Sequence, residues 1–60
     1  MNYRELHEVI MTLTEDQVLE MLEDEQRNQR RKTFLVRLHQ RYSALRAQRE
    51  REELEHSADS

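Results

Sequence analysis

The sequence predicts an all-α protein, built as a helical hairpin or a three-helix unit. Three observations favour this class. The 60-residue chain contains no Gly and no Pro, so it lacks the turn residues that a small sheet needs. Charged residues make up 38% of the chain and hydrophobic residues 35%, a composition typical of coiled coils and helical hairpins. Apolar residues also recur at spacings of three and four along three successive segments.

The first periodic segment predicts a helix over residues 3–12. Asn2 is followed three residues later by Glu5, which is typical of a helix start where the Asn side chain accepts a backbone hydrogen bond. A single apolar stripe follows on one side of this helix. Its residues are Tyr3, Leu6, Val9, Ile10 and Leu13.

A second helix is predicted over residues 15–27. Thr14 and Gln17 have the spacing of a capping box. Because a cap residue has non-helical dihedral angles, the first helix should end near Thr12. The acidic run at residues 23–25 is expected to face solvent, since adjacent helical residues point in different directions. The apolar side of this helix carries Val18, Leu19 and Leu22, with Met21 beside them.

A third helix is predicted over residues 33–54, in a single helical domain that spans residues 1–55. The last residues, 56–60, are small and polar and are expected to form a disordered tail. Apolar residues of the third helix recur at spacings of three and four, which places them on one side. This stripe consists of Phe34, Leu35, Leu38, Tyr42 and Leu45.

We predict that the second and third helices are separate. At about 100° per residue, their apolar stripes would point in nearly opposite directions on one straight helix. A break between Arg27 and Lys32 removes this conflict, with Asn28 in a left-handed C-cap and Thr33 as the next N-cap. The alternative is one continuous helix whose two apolar sides serve two different partners.

A chain of this size is expected to associate with itself. A 60-residue monomer buries only about 60% of the surface that its unfolded chain exposes, so a lone core is marginal. We therefore predict a homo-oligomer, in the form of a coiled-coil-like or bundle homodimer. Its interface is the stripe of the third helix, Phe34, Leu35, Leu38, Tyr42 and Leu45.

Charge is strongly segregated along the chain. Residues 27–49 contain eight basic residues and no acid, whereas residues 1–26 contain eight acids and one base. Such segregation indicates pairing with the acidic helices, of the same chain or a second one, or else a surface for an acidic protein or a nucleic acid. The residues predicted to bind a partner, along one edge of the third helix, are Arg30, Arg37, Arg41 and Gln48.

Two further arginines lie on the axis of the third-helix stripe. Arg31 comes one turn before its apolar residues and Arg49 one turn after them. Such arginines usually lay their methylene groups over an apolar stripe and end it. A second interpretation pairs them with Glu25 or Glu52 of another chain.

The residue content argues against catalysis and against metal or cofactor binding. Without Cys, the chain has no thiolate zinc site and no cysteine nucleophile. His7, His39 and His56 are too far apart to present a zinc-binding pair on one helix turn. No apolar run approaches the roughly 18 residues of a membrane span. We expect a non-enzymatic cytoplasmic protein without cofactor or metal.

Residues 26–32, Gln-Arg-Asn-Gln-Arg-Arg-Lys, resemble the arginine-rich helical motifs of phage antiterminators and retroviral RNA-export proteins. In such motifs, Arg and Asn side chains read a distorted RNA groove. The resemblance implies nucleic-acid binding through residues 27–49. The net charge of −3 and an aromatic content of 5% argue against that function.

Over about residues 5–54, the chain also resembles small early proteins of tailed bacteriophages. The resemblance lies in the order of its segments: Leu-Thr-Glu-Asp-Gln-Val at 13–18, Arg-Arg-Lys at 30–32, Arg-Leu-His-Gln-Arg-Tyr at 37–42, Leu-Arg at 45–46 and Arg-Glu-Arg-Glu at 49–52. It implies a compact all-α protein that acts by binding in a bacterial host cytoplasm. No assigned activity and no functional residue come with this resemblance.

These observations lead to one hypothesis of function and two alternatives. The leading hypothesis is a small phage-type regulatory or inhibitory protein that binds a host or defence protein complex through its arginine-rich edge. The first alternative is direct RNA or DNA binding through residues 27–49. The second is a structural role as an assembly or scaffold element.

Overall fold

The computed structural model describes residues 1–58. Helix α1 covers Tyr3–Val9 and continues into a 3₁₀ segment at Ile10–Thr12. Helix α2 covers Glu15–Arg27, and helix α3 covers Lys32–Ala58. No strand is present within the described range, so the predicted all-α class is confirmed.

Side-chain caps begin the first two helices where the sequence places them. The Asn2 side chain accepts a hydrogen bond from the Glu5 N–H at 2.8 Å. At α2, the Thr14 hydroxyl accepts from the Gln17 N–H at 3.2 Å, and the Gln17 side chain accepts from the Thr14 N–H at 2.9 Å. The predicted capping box is therefore confirmed. Leu13, in extended conformation, separates the 3₁₀ segment from this cap.

The core forms where α1 packs against an antiparallel hairpin of α2 and α3. Helices α2 and α3 each contribute two apolar side chains that are almost completely buried, and α1 and the 3₁₀ segment contribute one each. Burial of each such group stabilises the fold by about 1.5–3 kcal/mol. These core residues are Leu6, Ile10, Val18, Leu22, Phe34 and Leu38. Half-buried residues that pack around them are Leu13, Met21, Leu35, Tyr42 and Leu45.

This core corrects the predicted oligomer interface. Phe34 is 4% exposed and Leu38 1% exposed within a single chain, so neither has surface left for a second one. The chain reverses between α2 and α3, and the two stripes that would point apart on one straight helix thereby face each other. Leu35, Tyr42 and Leu45 keep part of their surface exposed. Homo-oligomerisation itself stays a prediction.

The break between α2 and α3 is present, but its details differ from those predicted. Asn28 is not left-handed, with φ −107° and ψ −93°, and its side-chain amide instead donates to the Asp24 carbonyl oxygen at 2.9 Å. Arg30 is the left-handed residue, with φ 52°. Its N–H donates to the Glu25 carbonyl at 2.8 Å, a bond that closes the helix end. Thr33 lies inside α3 and is not its cap.

A buried ion pair fastens this turn. The Glu25 side chain, expected in solvent, is buried and accepts three hydrogen bonds from Arg31: from Nε at 3.1 Å, from Nη2 at 2.9 Å and from the backbone N–H at 2.9 Å. The Arg31 guanidinium also lies 3.4 Å from the centre of the Phe34 ring and donates to the Met1 carbonyl at 2.7 Å. We call this Glu25–Arg31 pair the clamp. It joins the end of α2, the start of α3 and the N-terminal segment.

Helix α3 is longer than predicted. It runs to Ala58, so residues 56–58 are helical where a disordered tail is expected, and residues 59 and 60 lie outside the described range. Side-chain pairs four residues apart support this extension, including Arg46 with Glu50 at 3.0 Å and Gln48 with Glu52 at 3.3 Å. The length of α3 gives the molecule its dimensions of 45 × 22 × 14 Å.

Removing the Thr14 cap should weaken the protein without altering its fold. We expect Thr14→Ala to lower the free energy of unfolding by about 0.5–2 kcal/mol, because the Gln17 N–H at the start of α2 loses its acceptor. Urea unfolding followed by circular dichroism measures this. Thr33→Ala is the matched control and should change little, since Thr33 lies inside α3. Equal losses in the two variants would contradict the role of the cap.

The clamp should make stability depend on pH. Hydrogen bonds from Arg31 hold the pKa of Glu25 below its ordinary value of 4.5, despite the opposing effect of burial. The contribution of the carboxylate is thus fully present above pH 4.5 and is lost as the pH falls through the lowered pKa. We expect Glu25→Gln to lower the urea midpoint at neutral pH, with the difference from the parent shrinking at acid pH.

Glu8→Gln is the control for this measurement. It makes the same chemical change at an exposed pair, where Glu8 lies 3.8 Å from Arg4. Exposed pairs of this kind contribute little, so the urea midpoint should hardly move at either pH. A Glu25→Gln variant that follows this control, or one whose deficit is the same at both pH values, would show that the charge of Glu25 does not stabilise the turn.

Candidate functional site

Half of the basic segment is neutralised within the chain. Of the eight basic residues at 27–49, four form ion pairs with acids of the same chain. Two of the pairs each lie within a single helix, one joins α2 to the turn before α3, and one joins α2 to α3. The pairs are Arg27–Glu23 at 3.6 Å, Arg46–Glu50 at 3.0 Å, Arg31–Glu25 at 2.9 Å and Arg49–Glu15 at 2.9 Å.

Arg49 fastens the opposite end of the hairpin from the clamp. Its Nε and Nη2 donate to the two carboxylate oxygens of Glu15 at 2.9 and 3.4 Å, and its Nη1 donates to Glu53 at 3.2 Å. The Glu15 carboxylate, followed by Glu53, raises the pKa of Arg49 above its ordinary value. Glu15 also lies in the first turn of α2, where the helix dipole favours a negative charge. Arg31 and Arg49 thus pair within the chain, where sequence analysis left pairing with another chain open.

The other four basic residues of the segment 27–49 form no ion pair with any acid of residues 1–58. They are Arg30, Lys32, Arg37 and Arg41. Arg37 and Arg41 differ from the other two, because both are half-buried and lie one turn apart on α3. The Nε atom of each is buried and has no hydrogen-bond partner. Each of the two arginines therefore keeps its charge uncompensated and has one buried N–H group without an acceptor.

The structure brings together three of the four residues predicted to bind a partner. Arg37, Arg41 and Gln48 follow one another at spacings of four and seven residues on α3, so they share one side of the helix. We call these three residues the arginine edge. Gln48 at its far end donates to Glu52 at 3.3 Å. Arg30 is not part of this edge, because it lies in the turn before α3 begins.

Helix α1 and the 3₁₀ segment lie beside the arginine edge. Arg37 Nη2 donates to the sulfur of Met11 at 4.0 Å. Next to this contact is a groove of about 310 Å³. The groove is lined by Tyr3, Lys32, Thr33, Val36, Arg37 and Gln40.

The sequence pattern does not predict that Tyr3 lines this groove. Its position on the apolar stripe of α1 predicts a core residue, but the side chain is 46% exposed. Its ring meets Phe34 edge to face at 6.2 Å and stacks on His7 at 6.3 Å. No spacing in the sequence carries this information, because it depends on how α1 crosses α3.

The structure also corrects the comparison with arginine-rich RNA-binding helices. Within residues 26–32, α2 ends at Arg27 and α3 begins at Lys32, so the intervening residues are not helical. Their side chains therefore do not form the continuous helical surface on which such a motif depends. Arg31, in the middle of the segment, is engaged by Glu25.

The described residues also do not meet the requirements of a membrane-spanning helix or of a metal site. Within residues 1–58, no helix is both long enough and apolar enough to cross a membrane. The same range contains no group of three or more His, Asp or Glu side chains placed to hold a metal ion.

No protein-family model matches the chain, and no curated protein or solved structure is significantly similar to it. A function must therefore be argued from its own side chains and surfaces.

The structure divides the arginines into two groups with different effects on stability. We expect the double variant Arg37→Gln, Arg41→Gln to unfold at a urea concentration close to that of the parent, because no ion pair is lost and two unsatisfied Nε groups disappear. The charge-matched variant Arg31→Gln, Arg49→Gln should unfold at a clearly lower concentration, because both ends of the hairpin are released. Equal destabilisation would show that the arginine edge is structural.

Proposed function

We propose that this chain is a small non-catalytic protein that binds an acidic surface of a larger protein complex through its arginine edge. It would act stoichiometrically, as a phage-type regulator or inhibitor in the cytoplasm of a bacterial host, and as a homo-oligomer. The observation that carries the proposal is the pair Arg37 and Arg41, which keep their charges uncompensated while Arg31, Arg46 and Arg49 are paired within the chain.

The arrangement of the edge suits the recognition of carboxylates. The stems of Arg37 and Arg41 are half-buried, so part of their conformational entropy is already lost before a partner binds. A guanidinium presents its donors in a planar fork that matches a carboxylate with two parallel hydrogen bonds. Tyr3 and Val36 in the adjoining groove offer apolar contact beside these charges.

Several observations favour an acidic protein over a nucleic acid. The chain carries a net charge of −3, and the unpaired acids of α2 would repel a long phosphate backbone. The exposed ring nearest the edge, Tyr3, already stacks on His7. The arginine-rich segment at residues 26–32 is interrupted by the turn. A partner that touches only the arginine edge avoids the acidic helix.

Binding to defined polyanions tests this proposal. Labelled poly-L-glutamate serves as the probe for an acidic protein surface, and a single-stranded RNA and a duplex DNA serve as the nucleic-acid probes. We expect fluorescence anisotropy to show binding of poly-L-glutamate that weakens steeply as salt is raised. The double variant Arg37→Gln, Arg41→Gln should lose most of this binding.

The control removes the same number of charges elsewhere. Arg4→Gln, Arg27→Gln changes two exposed arginines that are paired on their own helices, and it should bind poly-L-glutamate as the parent does. Adding Arg30→Gln to the edge variant should have little further effect, since Arg30 lies in the turn. Full binding by the edge variant would overturn the proposal. Tighter binding of RNA or DNA, with a salt slope that falls by about 0.7–0.9 for each edge arginine removed, would favour the nucleic-acid function instead.

A further inference from the structure

A second surface lies across the hairpin from the arginine edge. The contacts of Phe34 with Tyr3 and of Arg37 with Met11 place α1 on one side of α3. Leu35 and His39 lie on the other side of α3, where they line a groove of about 490 Å³ with Leu22. We call this side of the hairpin the open face. Its apolar residues are Leu19, Leu22, Leu35 and Tyr42.

The open face carries acids on α2 and an arginine on α3. On α2, Asp16 and Glu23 lie before and after Leu19, and the three fall within about 60° of the helix circumference. On α3, Arg46 and His39 lie within about 40° of Leu35. Glu23 pairs with Arg27 on its own helix, whereas Asp16 forms no ion pair within residues 1–58. Asp16 and Arg46 are therefore the opposite charges that the two halves of the face offer each other.

The molecule also exposes more surface than a closed unit of its mass. A compact monomer of 7.4 kDa is expected to expose about 4,200 Å², and this chain exposes 4867 Å². Part of the excess belongs to the end of α3 beyond Arg49, where every described residue is exposed, and part to the open face. Helix α1 covers only one side of the hairpin, which leaves Leu19, Leu35 and Tyr42 half-buried. A layer of helices with apolar residues on its uncovered side is stabilised when a second layer packs on that side and buries them.

We propose that a second copy of this chain covers the open face, with a two-fold axis parallel to the helices. This axis places α2 of one copy against α3 of the other, so that Asp16 of each copy faces Arg46 of the other. An axis across the helices would place α2 against α2 and bring the acids together. The pairing of Arg49 with Glu15 sets the register within the hairpin. Counted along the helix axes from that pair at about 1.5 Å per residue, Asp16 and Arg46 lie about 3 Å apart in the axial direction, and so do Glu23 and His39.

This interface rests on the homo-oligomer of the proposed function, but not on its arginine edge. The two surfaces meet along Val36 and Gln40, which line both grooves. Arg37 and Arg41 lie on the α1 side of α3, away from Leu35 and His39. Two copies joined through their open faces therefore present two arginine edges outward. Arg46 is bonded to Glu50 within one copy, but both side chains are exposed and such a pair contributes little to stability. Arg46 can therefore exchange this bond for one across the interface.

A charge swap tests the geometry. In sedimentation equilibrium we expect the parent to dimerise, and either Asp16→Lys or Arg46→Glu alone to raise the dissociation constant by about tenfold or more, because each places like charges together twice in the symmetric dimer. The double variant Asp16→Lys, Arg46→Glu should restore dimerisation. Circular dichroism checks that the variants keep their helices, since Asp16 lies in the first turn of α2.

An apolar variant tests the same face independently. Leu19→Gln should weaken the dimer, whereas the matched Leu54→Gln should not, because Leu54 is 71% exposed near the far end of α3. A parent chain that sediments only as a 7.4 kDa species would overturn the proposal. So would a charge swap that fails to restore association, or a Leu54→Gln variant that dissociates while Leu19→Gln does not. None of these outcomes depends on binding to a polyanion.

Discussion

The bond between Glu25 and Arg31 is the constraint on which the fold depends. A chain with no Gly and no Pro must reverse direction between Arg27 and Lys32, and it does so with Arg30 in a left-handed conformation that is unfavourable for a residue with a side chain. Burying the Glu25 carboxylate is also costly. Three hydrogen bonds from one residue offset both costs. Only after this reversal do the apolar stripes of α2 and α3 face each other.

The segregated charges of the chain stabilise the hairpin through two ion pairs and leave two arginines of α3 uncompensated. At the two ends of the hairpin, Arg31 and Arg49 neutralise acids of α2. Arg37 and Arg41 lie between them in sequence but on the side of α3 that faces α1, where no carboxylate reaches them within residues 1–58. Folding therefore separates structural arginines from uncompensated ones.

Local signals in the sequence predict much of the fold, and the parts that fail depend on tertiary contacts. The cap at Thr14 and the break after α2 follow from spacing and helical phase alone. The burial of Glu25 does not, because it requires Arg31 to return to it across the turn. The stripe around Leu38 predicts a buried contact correctly, but a helix of the same chain and a helix of a second chain would bury it equally well. In the predicted site, the helical periodicity alone predicts that Arg37 and Arg41 lie on the same side of α3. It does not predict the groove beside Tyr3, which depends on how α1 crosses α3.

The unequal lengths of the helices decide where partners can bind. Helix α2 has 13 residues and spans about 20 Å, whereas α3 has 27 residues and spans about 40 Å. Beyond Arg49, α3 is exposed on all sides and is polar except for Leu54, which is the pattern of a solvated helix held by its own ion pairs. Apolar surface for association is therefore concentrated where α2 and α3 overlap. The arginine edge and the open face both lie along that overlap, the first on the α1 side of α3 and the second on the other side, so the dimer proposed above leaves Arg37 and Arg41 uncovered.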